Sequence, residues 1–358
     1  MTALHILSDS NIGGAGKWLL TLCKNKRDYD AAVALPDGAA MAEPLKKAGA
    51  AVYQLNASKD KSFSFKDLSV YKKTIKKIKP DIVHTHGSLS GRIAAKLTGV
   101  KTVYTKHTMN EPRRGLKRFL ALTLEKWLDS EVIAVSEATR ANLIENGIKA
   151  QKITVIMSGT DKIERYDAET RKKYRNEYGI EENAFAAGII GRLAKVKAHH
   201  VFLGACRHVD NAVFLIAGEG EEEAGIKACA RELGIYDKCV FVGHVEPADI
   251  IYNMIDVCVS SSVSETFGLT LCEAMSLGIP VISTKSGGPQ EILDDKSGVL
   301  VGTGDSAAIS RALNELKNNK NKYKEMSEAA YARWQGHFSA ERFARDVNKF
   351  YESISLKK

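Results

Sequence analysis

The chain has 358 residues, 44% hydrophobic and 27% charged, with a formal net charge of +9. That length exceeds one ordinary hydrophobic core and fits two domains, and the composition excludes a collagenous, low-complexity or disordered chain. The charge is uneven: residues 1–165 hold 28 Lys and Arg against 16 Asp and Glu, the remainder 24 against 27, so the first half wants a polyanion such as nucleic acid, an anionic membrane or phosphorylated small molecules.

In chain order, short β-branched runs predict strands near 3–7, 31–35, 50–54, 81–84, 101–105, 131–135 and 152–156, then near 185–190, 212–217, 239–242, 256–259 and 280–283. Segments with apolar residues at helical spacing lie between them, among them LKRFLALTLEKWL and LTLCEAMSL. Strand–helix alternation implies parallel sheets covered on both faces. No repeat of solenoid length is visible. No signal peptide or transmembrane run is expected, and six scattered cysteines without C-x-x-C spacing point to reduced thiols in a cytosolic protein. The polar stretch 157–184 separates the two series. The expected organisation is therefore a domain over 1–165, a linker over 166–184, a second domain over 185–335, and a terminal segment 336–358 whose helix crosses back to the first domain.

NIGGAGKWLL (11–20) follows the first strand. A Walker loop needs Gly at 11 and Ser or Thr after Lys17; the chain has Asn11 and Trp18. A dinucleotide loop needs Gly at 19, which is Leu19. What remains is a glycine turn at a helix start, with Gly13 and Gly14 allowing close approach to the backbone. Ligands of open parallel sheets bind off the carboxyl ends of the strands, and nearly every unusual cluster falls there. In the first half these are Gly13-Gly14, His84-x-His86-Gly87 and Lys106-His107. In the second they are Gly191-Arg192, Gly218-Glu219-Gly220, Gly243-His244, Ser262–Glu265 and Ser286-Gly287-Gly288. Two such edges are expected to face each other across a cleft.

The richest stretch is SSSVSETFGLTLCEAMSLGIPVIS (260–283). Gly268 opens a helix whose N-terminal amides make an anion site, with Glu265 at its mouth and Glu273 further along. Two acceptor-only carboxylates beside an anion site suit a sugar and a ribose; the plain alternative is one capping and one solvated Glu. Arg192 and Lys197 in GRLAKVK could reach a diphosphate, or form a solvated basic face. His107 could line the cleft or serve a structural hydrogen bond.

Taken together these motifs resemble the GT-B glycosyltransferases of family 4, retaining enzymes that use nucleotide-activated sugars. Glu265 and Glu273 match the E-x7-E pair, GRLAKVK the phosphate motif, FLIAGEG the A-G-x-G segment, SGGPQEIL the G-G-x-x-E-I segment, and NIGGAGKW the Gly-Gly loop. The resemblance implies an α/β GT-B fold of two Rossmann-like doubly wound domains, with the donor on the second and the acceptor on the first. It implies that Arg192 and Lys197 neutralise the departing diphosphate, Glu273 holds the ribose, and Glu265 holds the donor sugar. Gly243, His244 and Val245 would read the base, and Gly287 and Gly288 would offer N–H groups to the donor. Gly14, Gly218, Gly268 and Leu269 complete the implied donor site. Gly13, Gly14, His86 and His107 would lie on the acceptor side, His107 beside the reacting groups. Retention is explained in the family by front-face attack, with the leaving phosphate helping to deprotonate the acceptor. No metal or other cofactor is expected. The expected donor is a UDP-sugar and the expected acceptor a saccharide or a lipid-linked acceptor of envelope polysaccharide or glycoconjugate synthesis. A nucleotide-sugar 2-epimerase and a non-catalytic partner subunit are the alternatives. The chain departs from the family at Gly16-Lys17, at Ser158-Gly159-Thr160-Asp161 and at Ala198.

Four sharper readings are set aside. Asp28-Tyr29-Asp30 spells D-x-D but precedes a strand, the wrong end of the sheet for a metal. His84-x-His86 lacks a third ligand nearby in sequence and reads as cleft lining. His199-His200 reads as the start of a surface helix. The lysines of 59–79 read as a solvated helix, and no nucleic-acid partner is expected. In 113–128, Leu116, Leu120, Leu124 and Trp127 share a helical face, with Arg113, Arg114, Lys117 and Arg118 at the start. That face either packs on the sheet or lies on an anionic membrane, making the protein cytoplasmic and peripheral at the inner face.

Overall fold

A computed structural model describes residues 1–26, 28–109, 111–112 and 114–356; Arg113 of the basic cluster lies outside them. The chain forms two compact units, Met1–Gly159 with Ala340–Lys358, and Thr160–Ser339.

The first unit holds β1 (Thr2–Leu7), β2 (Asp30–Pro36), β3 (Ala51–Leu55), β4 (Ile82–His86), β5 (Lys101–Lys106), β6 (Glu131–Ala134) and β7 (Ile153–Val155). They make one parallel sheet in the order β3-β2-β1-β4-β5-β6-β7. The order reverses between β1 and β4, where an open α/β sheet leaves a crevice. These central strands are buried on both faces, which explains their unbroken apolar runs. Helix starts follow the local chemistry: Ser64, Ser88 and Ser136 each accept the amide three residues ahead and cap a helix. The last helix, Ala340–Leu356, belongs to this unit and packs Phe343 on Trp18 of the Gly14–Asn25 helix, ring centroids 4.8 Å apart.

The second unit holds β8 (Phe185–Ile190), β9 (Ala212–Ala217), β10 (Cys239–Gly243), β11 (Val257–Ser260), β12 (Val281–Thr284) and β13 (Gly298–Val301) in the order β10-β9-β8-β11-β12-β13, all parallel. Its switch point lies between β8 and β11. The β13 strand, a four-residue GVLV run beyond a turn, is not among the expected ones: too short to show periodicity, it is held as a strand by pairing with β12.

The expected boundaries need correction. The division falls at Gly159/Thr160 and Ser339/Ala340 instead of 165 and 335, where Thr160 and Ser339 pair and the Thr160 N–H donates to Phe338 O at 2.9 Å. The 166–184 segment is no linker. It forms the Ala168–Glu177 helix, capped by Asp167 and anchored by the fully buried Arg175. That guanidinium donates to the carbonyls of Met254, Glu182 and Ala184 at 2.6–2.9 Å and pairs with Asp256 at 3.0 Å. A polar sequence hides such an anchor, because one hydrogen-bonded Arg does the work of an apolar face.

Candidate functional site

In the second unit the loops leaving neighbouring strands are stitched into one surface at the carboxyl edge. Ser261 Oγ after β11 donates to the carbonyls of Lys197 and Ala198 after β8, at 2.9 and 3.0 Å, and the Val263 N–H donates to Val196 O at 2.9 Å. On the other side the Glu265 N–H donates to Ser286 O and the Gly288 N–H to Glu265 O, both 2.9 Å. Gly218 holds φ +135, and a Cβ there would lie 2.0 Å from Gly191 O, so only glycine lets the β8 and β9 loops close. Its N–H donates to Gly243 O at 2.8 Å, tying in the β10 loop.

This stitching brings Lys197 and Glu265 together at the switch point. Lys197 Nζ lies 2.5 Å from Glu265 Oε2 in a partly buried pair, and Ser262 Oγ donates to the same carboxylate at 3.5 Å. Arg192 is exposed beside them in sequence. Gly268, at φ +119, precedes the Leu269–Ser276 helix, whose N-terminus carries no side-chain cap; this is the helix start at which the sequence reading expects an anion. On this helix Glu273 accepts a 2.5 Å hydrogen bond from Tyr252 Oη. Burial, then the Glu273 charge, pushes that phenol well above its ordinary value, so it stays a donor and fixes the carboxylate. Sequence reading missed Tyr252: in DIIYNM it looks like any core aromatic. His244 is exposed and Val245 partly exposed beyond β10.

Gly288 departs from its expected role. Its N–H is spent on Glu265, and a Cβ there would lie 2.4 Å from Phe267 Cα. It builds the loop instead of offering an amide to a ligand; Gly287, at φ +118, remains the candidate.

In the first unit, register assembles a histidine chain. The β1 strand pairs with β4 so that His5 lies opposite His84, and period-two alternation puts His86 on the same face. His5 Nδ1 lies 3.3 Å from His86 Nε2, and His86 Nδ1 lies 3.1 Å from His107 Nε2, giving a relay from the core to the strand edge. His84 is bonded at both nitrogens, to Tyr351 Oη at 2.5 Å and Thr105 Oγ1 at 2.7 Å. Trp18 packs against His84, His86 and His107. Burial drives His5 and His107 down to about 3, with the Lys106 charge adding to the second. Burial and then the neighbouring imidazoles hold His84 and His86 well below their ordinary range.

Two expectations fall here. A third histidine does exist beside His84 and His86: His5, the ligand atoms of the three lying within 4.8 Å of one another. The sequence signal was a His inside an apolar strand. The donor set does not fit a metal, because both nitrogens of His84 and of His86 already have partners. And His84 is core, while only His86 and His107 line a cavity of 320 Å³ with Asp9, Arg92, Leu124 and Glu125. His199 is likewise buried, not a surface residue. Asp28 and Asp30 flank buried Tyr29 at the amino end of β2, as the D-x-D reading required. Gly13 and Gly14 have ordinary φ, and a Cβ at either would touch nothing within 4 Å; neither the backbone nor packing demands glycine.

Two family models match: glycosyl transferases group 1 over residues 170–333, and glycosyltransferase family 4 over 12–162. The chain belongs to the family-4 glycosyltransferases. It is similar to the D-inositol 3-phosphate glycosyltransferase of Corynebacterium urealyticum, 28% identical over 76% of this chain and 72% of that one. It is also 29% identical to the UDP-Gal:alpha-D-GlcNAc-diphosphoundecaprenol alpha-1,3-galactosyltransferase of Escherichia coli, over 71% of this chain and 70% of that one. The crystal structure of Anabaena Alr3699/HepE in complex with UDP-glucose superposes with a TM-score of 0.87 at 22% identity, covering 99% of this chain and all of the other; the fold is GT-B. The glycosyltransferase is thus an enzyme of two Rossmann-like units. Neither the epimerase nor the partner-subunit alternative is favoured.

Proposed function

We propose that this glycosyltransferase moves a sugar, with retention, from a UDP-sugar to a lipid-linked saccharide acceptor. The observation that carries it is the Lys197–Glu265 pair at the switch point, next to an uncapped helix N-terminus. A diphosphate would take Lys197, Arg192 and the first helix amides, leaving Glu265 to accept hydroxyls of the sugar. Glu273, oriented by Tyr252, would accept from the ribose; Gly243, His244, Val245 and Gly287 would line the nucleotide. These fixed positive charges stabilise the leaving group, which is the basis for proposing that no metal is needed. His86 and His107 would serve the acceptor side, and the bare space over Gly13 and Gly14 would admit it. The Escherichia coli relative is named for a UDP-sugar donor and a diphosphoundecaprenol acceptor.

Thermal unfolding with a panel of nucleotides tests the donor. A ligand at about 100 times its Kd adds about 2.7 kcal/mol, so UDP is expected to raise Tm by several degrees while ADP and GDP leave it unchanged. A flat response to UDP refutes the reading.

The lipid-linked part has its own support. The Gly115–Leu128 helix does not pack its apolar stripe on the sheet: Leu116 is 72% and Phe119 65% exposed, and Leu120 and Trp127 are exposed too, while Leu124 turns to the cavity. No helix among the described residues is long and apolar enough to cross a membrane, but basic Arg114, Lys117 and Arg118 beside this stripe suit an anionic surface. Leu116→Ser with Phe119→Ser is expected to abolish most co-flotation with phosphatidylglycerol vesicles without lowering Tm; undiminished flotation removes the helix from membrane binding.

A further inference from the structure

The histidine chain of the first unit has a direction. His5 on β1, His86 at the end of β4 and His107 just past β5 are linked in turn, His5 Nδ1 to His86 Nε2 at 3.3 Å and His86 Nδ1 to His107 Nε2 at 3.1 Å. Burial keeps all three neutral at ordinary pH, so each ring has one N–H and one bare nitrogen. Each contact needs one of each, which leaves two arrangements. Either His5 Nδ1–H donates to His86 and His86 Nδ1–H donates to His107, or both bonds run the other way. His84 cannot feed the chain, because Tyr351 and Thr105 take its two nitrogens.

The inner end discriminates between the two. His5 Nε2 is buried and has no hydrogen-bond partner among the described residues. An inward chain would put a proton there and leave a buried N–H unpaired; an outward chain leaves a lone pair. Orphaned N–H groups are the rarer of the two in folded proteins. The neighbouring ring is Tyr29, 6.3 Å away between centroids, whose buried hydroxyl also lacks a partner and is held protonated by burial. A bare nitrogen on His5 can match that proton, and a second N–H cannot. Trp18 packs on the His86 and His107 rings, centroids 5.1 and 5.7 Å away, and holds their orientation.

We infer that His5 sets the proton positions outward along the chain, so that His86 and His107 both carry their proton on Nδ1. His107 lines the 320 Å³ cavity. With its Nε2 lone pair taken by His86, it has none left to remove a proton from an acceptor hydroxyl. His107 therefore acts there as a hydrogen-bond donor and not as a base. His5, which does not line the cavity, is a positioning residue acting through His86. The inference rests on the acceptor-side reading of His107.

Full-length protein carrying 15N-labelled histidine is read by long-range proton–nitrogen correlation, which separates protonated from bare ring nitrogens. Nδ1–H is expected on His5, His86 and His107; Nε2–H on His86 and His107 overturns the inference. His5→Met leaves only a weak acceptor facing His86, so both outer rings are expected to move their proton to Nε2. His5→Asn can still donate to His86 and should keep it on Nδ1. An unmoved His107 signal in His5→Met removes His5 from this role. With UDP-glucose and UDP-galactose as probes, His5→Met is expected to lower kcat for donor hydrolysis about tenfold at unchanged KM, the worth of one oriented hydrogen bond. His5→Asn should recover most of that loss, and equal rates in wild type and His5→Met also overturn the inference. The Tm shift with UDP should be the same in all three proteins; its absence would count against the donor reading and leave the proton positions standing.

Discussion

Replacing Lys197 by Ala is expected to lower donor turnover by about 10²–10³-fold, the usual cost of removing one preorganised charge from a developing anion. Lys197 Nζ lies 2.5 Å from Glu265 Oε2, so the loops after β8 and β11 set its position. Negative charge grows on the diphosphate as the glycosidic bond breaks, so the loss should fall on kcat more than on donor affinity. The pair is partly solvated, and breaking it should cost at most about 1 kcal/mol of stability. A large fall in turnover at nearly unchanged Tm would therefore report chemistry. Lys197→Arg should recover only part of the rate, because a planar fork replaces a point charge. Slow hydrolysis of the donor gives a readout that needs no acceptor. A Lys197→Ala enzyme that turns over at the wild-type rate would remove this residue from the reaction.

Acid is expected to unfold the first unit before the second. His5 is lowered from 6.5 to about 3, and His84 and His86 move the same way, all fully buried. Where the folded pKa lies below the unfolded one, the unfolded state binds more protons, so stability is present above pH 6.5 and is lost as pH falls. Each such group costs about 1.4 kcal/mol per pH unit in that window, and with His107, lowered to about 3 in the same unit, the four together cost about 5. Against a total of about 5–15 kcal/mol, that is enough to unfold this unit within a few pH units below 6.5. In the second unit His199, lowered to about 4, is the one buried histidine among the described residues. Circular dichroism across a pH series should show two steps, the first steeper. His5→Phe should reduce the slope of the first step by about one proton. A single step below pH 4, where carboxylates titrate, would show that these histidines do not control acid stability.

Much of this was legible in the residues, and the reason is local. Twelve strands stand where β-branched runs predict them, because strands buried on both faces must be apolar throughout. The loops carrying Arg192, Lys197 and Glu265, and the helix carrying Glu273, were legible as well, since strand ends and glycine turns fix where a chain leaves a sheet. What stayed hidden involves partners far apart in sequence. Gly288 reads as a ligand amide in its motif, yet its N–H is spent on Glu265. Arg175 reads as part of a polar linker, yet Asp256 and the carbonyls of distant segments close round it.

By itself the sequence determined the two parallel sheets, the glycine turns at their carboxyl edges, the charge of the first half and the family. Only the tertiary structure decided that β1 registers His5 against His84, that Tyr252 aims Glu273, and that Leu116 and Phe119 stay outside. The reason is the same in each case. Periodicity says which residues share a face, but which face is covered, and by what, depends on pairings set across tens to hundreds of residues.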